Sequence, residues 1–248
     1  MKFLLLAAAA LSLSSPLQAA TVSAVVAAAI AAPDRPKADT DRDAARQPAE
    51  LIAFAGVKPG DRVADIMPGG GYFTRLFSKV VGPAGHVYAI IPAELAQVAP
   101  KAVAAMTALT AEAPYGNVTL AVMPTAAIAA PAPLDVAWTA DNYHDLYGFF
   151  GADQAAAFDR AVYKALRPGG VFMVVDHVAA AGAGDASPKT LHRIDPDIVK
   201  AQALAAGFVL EAESPILRNP EDPHDATVFS PALRGHTDQF VFRFRKPG

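Results

Sequence analysis

The chain has 248 residues, 53% of them hydrophobic, a formal net charge of −3 and no cysteine. That length buries a full core as one domain, or one domain with a small extension. With no basic stripe, nucleic acid and anionic membrane are excluded as expected partners. The missing cysteines exclude disulfides, thiolate nucleophiles, iron–sulfur clusters and cysteine-ligated zinc.

Lys2 gives a positive start, Phe3 to Leu13 is apolar or small throughout, and Leu17-Gln18-Ala19 ends in a small residue. This pattern predicts an export signal over residues 1–19, too short for a spanning helix, against the alternative of a buried N-terminal helix. It implies a periplasmic or secreted protein with no membrane anchor after cleavage. Residues 20–39 read as a flexible or helical extension, and residues 40–248 as the folded domain. Thr40 or Asp41 is placed to cap a helix that puts Leu51, Ile52 and Phe54 near one face, until Pro59-Gly60-Asp61 stops it.

From there strand, turn and helix repeat. Val63 to Met67 reads as the first strand, followed by Pro68-Gly69-Gly70-Gly71 and a helix through Phe73, Leu76 and Val80. His86 to Ile91 is the second strand, and Glu94 to Ala105 a helix. Val118 to Val122 and Leu134 to Trp138 are the third and fourth strands. Ala155 to Leu166 is a helix stopped by Arg167-Pro168-Gly169-Gly170, and the β-branched run Val171 to Val175 reads as a central parallel strand. Asp195-Pro196 starts a helix to Ala206, and Val209 to Ala212 and Phe240 to Phe244 are the last strands. Strands alternating with helices at this spacing predict an α/β, Rossmann-like three-layer sandwich. Its seven-stranded sheet is mostly parallel, with an antiparallel C-terminal edge strand.

Three segments carry this order most strongly: Asp65-Ile66-Met67-Pro68-Gly69-Gly70-Gly71, the strand His86 to Ile91, and Ala165-Leu166-Arg167-Pro168-Gly169-Gly170. With Ala205-Ala206-Gly207-Phe208 before the sixth strand, residues 40–247 resemble the class I S-adenosylmethionine-dependent methyltransferase family, in particular an exported branch of predicted methyltransferases. The resemblance implies S-adenosylmethionine as cofactor and a small-molecule acceptor. It places Asp65, Met67, Gly69, Gly71, Tyr72, Ile91 and Asp141 at the cofactor.

In that family Asp65 faces the charged amino-acid end, and the glycines let the backbone approach. Two positions depart from the pattern. Met67 stands where the family has glycine, and Ile91 where it has an acid that binds both ribose hydroxyls. A lost charge-assisted contact of that kind costs about 1.5–3 kcal/mol, which is about ten- to a hundredfold in affinity. Glu94, one turn further on, either reaches back or faces solvent.

Loops after parallel strands line the pocket, so Thr139-Ala140-Asp141-Asn142-Tyr143-His144-Asp145 is the leading acceptor segment. His144 is a candidate base, Asp141 or Asp145 its orienter, and Tyr143 a stacking or hydrogen-bonding group. The plainer alternative is that these residues cap and pack a turn. Asp176-His177 and His192-Arg193 lie at the same expected edge, where adjacent strand residues point to opposite faces. Arg193 either binds an anionic acceptor or pairs with Asp195 or a neighbouring helix. Asp141, His144, His177 and His192 also have metal-ligating chemistry, but no HxH or HExxH spacing is present, and no metal is expected. Phosphate-loop, GxSxG and GxGxxG patterns are all missing. The competing function is a methyltransferase fold repurposed in the periplasm as a small-ligand-binding protein or a metal-assisted enzyme.

Overall fold

The computed structural model describes residues 16–248, with side chains from Ser23 onward. Most of the expected export signal therefore lies outside the described residues. The first helix, α1 (Pro16–Ile30), lies on the domain: Val26 and Ala29 are buried in a core cluster with Leu51, Ile52, Leu76 and Phe77. Three short helices follow, α2 (Lys37–Thr40), α3 (Asp43–Arg46) and α4 (Pro48–Ala55). The break falls at Gln47, which is left-handed at φ 41°, because the residue before a proline is pushed out of the helical region.

The alternating part runs β1 (Arg62–Ile66), α5 (Tyr72–Val81), β2 (His86–Pro92), α6 (Ala93–Val98), α7 (Pro100–Ala111), β3 (Val118–Met123) and β4 (Leu134–Ala140). It continues with α8 (Tyr143–Phe150), α9 (Ala152–Ala165), β5 (Leu166–His177), α10 (Ser187–Thr190), α11 (Pro196–Ala205), β6 (Val209–Ser214) and β7 (Gln239–Arg245). The helix expected from Glu94 is two helices, divided at Ala99-Pro100. β5 starts at Leu166 and carries Pro168-Gly169-Gly170 as an irregular entry, where its register against β4 shifts between Leu134 and Val136.

The seven strands lie in the order β3-β2-β1-β4-β5-β7-β6. β1 to β5 are mutually parallel, and β7 runs antiparallel to both β5 and β6. The antiparallel C-terminal strand thus lies one place inside the edge, with β6 outermost. Alternating strand residues feed two cores: Val63, Trp138, Met173 and Val175 face α1, α4, α5 and α7, whereas Ala64, Ala137, Phe172 and Val174 face α8, α9 and α11. The carboxyl ends of β1, β4 and β5 come side by side at one rim, where the chain reverses from β1 to β4 across the sheet.

The long segment between β6 and β7 forms one wall above this rim. Its anchor is Arg193, fully buried, whose guanidinium donates to both oxygens of Asp222 at 2.9 and 3.0 Å and to the carbonyls of Val178 and Ala226. Arg193 is therefore a structural clamp with neither of its expected roles, and Asp195 caps α11 by accepting the Asp197 N–H. Replacing Arg193 with Ala leaves the buried Asp222 without its cation, a loss of about 3–5 kcal/mol. Urea denaturation of Arg193→Ala is expected to show that loss, and a change below 1 kcal/mol would contradict the clamp.

Candidate active site

β1 ends in Ile66, and the chain turns sharply through Met67 to Gly71 before α5. Met67 is left-handed at φ 59°, which explains why glycine suits this position. Its N–H donates to Ile90 O at 2.8 Å, and its carbonyl accepts from Asn142 Nδ2 at 2.9 Å. The side chain turns into the core beside Ile66, Tyr143 and Leu146. Gly69, at φ 56°, has open space where a Cβ would stand; at Gly71 a Cβ would lie 2.6 Å from Met106 Cε and 2.7 Å from Leu109 Cδ1. Gly69 thus offers room for a ligand, and Gly71 lets α7 pack onto the start of α5.

Asp65, 3% exposed, accepts a hydrogen bond from Thr74 Oγ1 to Oδ2 at 2.6 Å. Burial pushes its pKa up to about 6, against the lowering effects of Thr74 and the Arg46 charge. It lines a cavity of about 210 Å³ together with Gly69, Gly70, Tyr72, Asp141, Arg42 and Arg46. Arg46 and Arg42 lie over the Tyr72 ring at 4.8 and 5.6 Å, and the Tyr72 hydroxyl donates to Asp43 at 2.6 Å. The lining thus mixes three carboxylates, Asp39, Asp65 and Asp141, with two guanidinium groups.

Four of the residues expected at the cofactor, Asp65, Gly69, Tyr72 and Asp141, meet here. Met67, Gly71 and Ile91 do not line the cavity. Ile91 is 1% exposed in the core formed with α5 and α7. Glu94 does not reach back either: its carboxylate accepts from the Thr125 hydroxyl at 2.8 Å, the Thr125 N–H and Gln154. The arrangement therefore fits the amino-acid end of the expected cofactor, while among the described residues no carboxylate is free at the ribose end. A volume of about 210 Å³ is also below the roughly 300–1,000 Å³ of ordinary ligand pockets.

Next to this cavity, and sharing Asp39, Arg42, Arg46 and Asp141 with it, opens a cleft of about 1410 Å³. The floor of this cleft is built by the ends of β4 and β5. Asp141 is left-handed at φ 59° and accepts from Arg46 Nη2 at 2.6 Å and Gln239 Nε2 at 2.7 Å. Burial raises its pKa, but Arg46 and the neighbouring histidines outweigh it and keep the group below its usual range. Asp176, fully buried, accepts the His144 N–H at 2.8 Å, the His177 N–H at 2.7 Å and His144 Nδ1 at 2.6 Å.

On its other side, His144 Nε2 stands 3.2 Å from both His192 Nδ1 and Asp145 Oδ1. Burial disfavours the imidazolium, yet Asp176 and Asp145 together raise its pKa to about 10. Both ring nitrogens are engaged, so His144 is not a free base at neutral pH. His177 also lines the cleft, and burial lowers its pKa despite the nearby carboxylates. It is the neutral imidazole of the floor.

Tyr143 requires a correction, because it points away from the cleft. It is fully buried, 2.8 Å from Asp159 and 2.7 Å from Gln202 Oε1. Burial pushes Asp159 up to about 8, against the lowering effect of the hydroxyl that Tyr143 donates to it. Sequence reasoning did not anticipate Arg42 and Arg46, which come from the turn before α3 and from the end of α3. Nor did it anticipate the pairing of Asp176 with His144, two residues noted separately.

No family model matches the chain. A ubiquinone/menaquinone biosynthesis C-methyltransferase, UbiE, of Hydrogenovibrio crunogenus is 32% identical over 130 residues, covering 50% of this chain and 45% of that protein. The chain thus matches less than half the length of this curated relative. Among solved structures, a SAM-dependent methyltransferase from Aquifex aeolicus superposes with a TM-score of 0.57 at 18% identity, over 79% of this chain and 88% of that one. The [4+2]-cyclase SpnF does so with a TM-score of 0.59 at 18% identity, over 82% and 81%. The chain has the S-adenosylmethionine-dependent methyltransferase fold. Such a fold hosts more than one chemistry.

Met67 sets two effects against each other. Glycine there would relieve about 1–2 kcal/mol of left-handed strain but delete a buried side chain worth about 2–5 kcal/mol. Met67→Gly is expected to lower stability by about 1–3 kcal/mol, measured by urea denaturation. A stabilised variant would show that backbone strain dominates the turn.

Proposed function

We propose that the protein is an S-adenosylmethionine-dependent methyltransferase acting on a small-molecule acceptor. One observation carries this reading: the small cavity at the end of β1 is lined by the Asp65 carboxylate and by Arg42 and Arg46, while its other two carboxylates, Asp39 and Asp141, are paired with Arg75 and Arg46. That charge pattern is complementary to the zwitterionic amino-acid end of the cofactor, the ammonium at Asp65 and the carboxylate at the guanidinium pair. The partial likeness to the curated C-methyltransferase supports the same reading.

Bound there, the cofactor supplies an electrophilic methyl group on a positively charged sulfur. The chain's part is to align the acceptor. The lining of the adjoining cleft includes the apolar Val228, Phe229 and Leu233 and the basic Arg42, Arg218 and Arg234, which suits an amphipathic acceptor with an acidic group. His177 is the side chain placed to take up its proton. We extend the proposal to location: the segment 1–19 directs the protein to the periplasm or beyond, which fractionation of cells expressing the full chain tests directly.

The buried Ile91 and the engaged Glu94 favour a second reading, a repurposed fold that binds another small ligand. Calorimetric titration with S-adenosylhomocysteine separates the two. Ionised Asp65 pairs with the ligand ammonium, and below its pKa of about 6 the acid is neutral. Affinity is therefore expected to be micromolar above pH 7 and to fall as pH drops through 6. Asp65→Asn should bind about ten- to a hundredfold more weakly, with a flat pH profile in that range. No binding up to millimolar ligand by folded protein would favour the second reading.

A further inference from the structure

Three potential ligand atoms converge in the floor of the large cleft. His144 Nε2 lies 3.2 Å from His192 Nδ1 and 3.2 Å from Asp145 Oδ1, and the last two are 3.0 Å apart. These atoms come from the first turn of α8 and from the loop before α11. A metal ion bound at about 2.0–2.1 Å in tetrahedral geometry holds its ligands about 3.3 Å apart. The observed triangle is almost the face of such a tetrahedron. The donor set of two imidazoles and one carboxylate is that of catalytic zinc and non-haem iron sites.

The surroundings prepare His144 for this use. Its Nδ1 is held at 2.6 Å by Asp176, which is fully buried and further fixed by the N–H groups of His144 and His177. Metal binding displaces the proton that His144 Nε2 shares with its neighbours, and the carboxylate on Nδ1 then fixes the tautomer in which Nε2 presents its lone pair. His192 is held in place by its left-handed backbone at φ 56° and by the Phe229 ring, edge-on at 4.8 Å. All three ligand residues line the cleft, so the face opposite the triangle is accessible to a small molecule.

We propose that His144, Asp145 and His192 form a binding site for one divalent first-row transition metal, with its remaining coordination positions open to the cleft. The ligand it would accept there is an oxygen group of the acceptor, such as a hydroxyl or enol, whose proton a metal makes more acidic. The site differs from the expectation that no metal is bound, because His192 is brought to the adjacent pair His144-Asp145 by the fold across 48 residues and not by any HxH or HExxH spacing. It does not depend on the cofactor reading, since metal uptake is measured without S-adenosylhomocysteine.

The test is titration of the chelator-stripped protein with Co(II), followed by its visible absorption, with Zn(II) and anaerobic Fe(II) as competitors and Mg(II) as the control. The expected result is one equivalent of Co(II) with the strong bands of a four- or five-coordinate site, displaced by Zn(II) but not by excess Mg(II), which prefers oxygen ligands. The relative strengths of Zn(II) and Fe(II) identify the metal. His192→Ala and the isosteric Asp145→Asn should each lose the bands, and Asp176→Asn should weaken binding about ten- to a hundredfold. Circular dichroism confirms that each variant is folded. The proposal is overturned if the wild-type protein takes up no Co(II), as when a shared proton holds the three groups together. Bands that persist in both ligand variants, or that Mg(II) abolishes, overturn it equally.

Discussion

The rim of this sheet depends on carboxylates that have left water. Asp65 and Asp176 lie buried at the ends of β1 and β5, and Asp141 follows the end of β4. A buried charge needs a donor or a cation in exchange for its hydration, and each acid recruits a different part of the chain. Asp65 takes the hydroxyl of Thr74 from α5. Asp141 takes Arg46 from α3 and Gln239 from β7. Asp176 takes the imidazole and backbone N–H of His144 from α8. The elements surrounding the two cavities are therefore held by the acids they serve.

That arrangement also explains where the backbone is strained. Met67, Asp141 and His192 are all left-handed, at φ 59°, 59° and 56°, a cost of about 1–3 kcal/mol each. Met67 turns the chain from β1 toward the glycines. Asp141 turns it so that its carboxylate meets Arg46, and His192 turns the loop so that its ring meets His144. The surrounding contacts offset this cost; beside His192, the next residue, Arg193, is fixed by its bonds to Asp222.

Much of the fold was legible in the sequence because its signals are local. The proline–glycine stops at Pro59-Gly60, Pro68 to Gly71 and Pro168 to Gly170 separate apolar runs of strand and helix length, and their alternation dictates a parallel sheet. Asp65, Gly69 and Asp141 could be placed at the rim from strand ends alone. The cationic half of the small cavity could not. Arg46 meets Asp141 across 95 residues, from helices of four residues whose pattern is too short to read. Tyr143 and His144 show a different limit. Each step along an α-helix turns about 100°, so the phase of α8 sends His144 to the cleft and Tyr143 to the core. The sequence leaves that phase open, because both residues sit at the helix start.

The cavity beside Asp65 is proposed to receive the amino-acid end of the cofactor. A crystal structure of the protein soaked with S-adenosylhomocysteine tests this most directly. Density is expected at the turn through Gly69 and Gly70, with the ligand ammonium at hydrogen-bond distance from the Asp65 carboxylate and its carboxylate against Arg42 or Arg46. Ligand bound elsewhere, or a well-ordered protein with the cavity unchanged at saturating ligand, would contradict it.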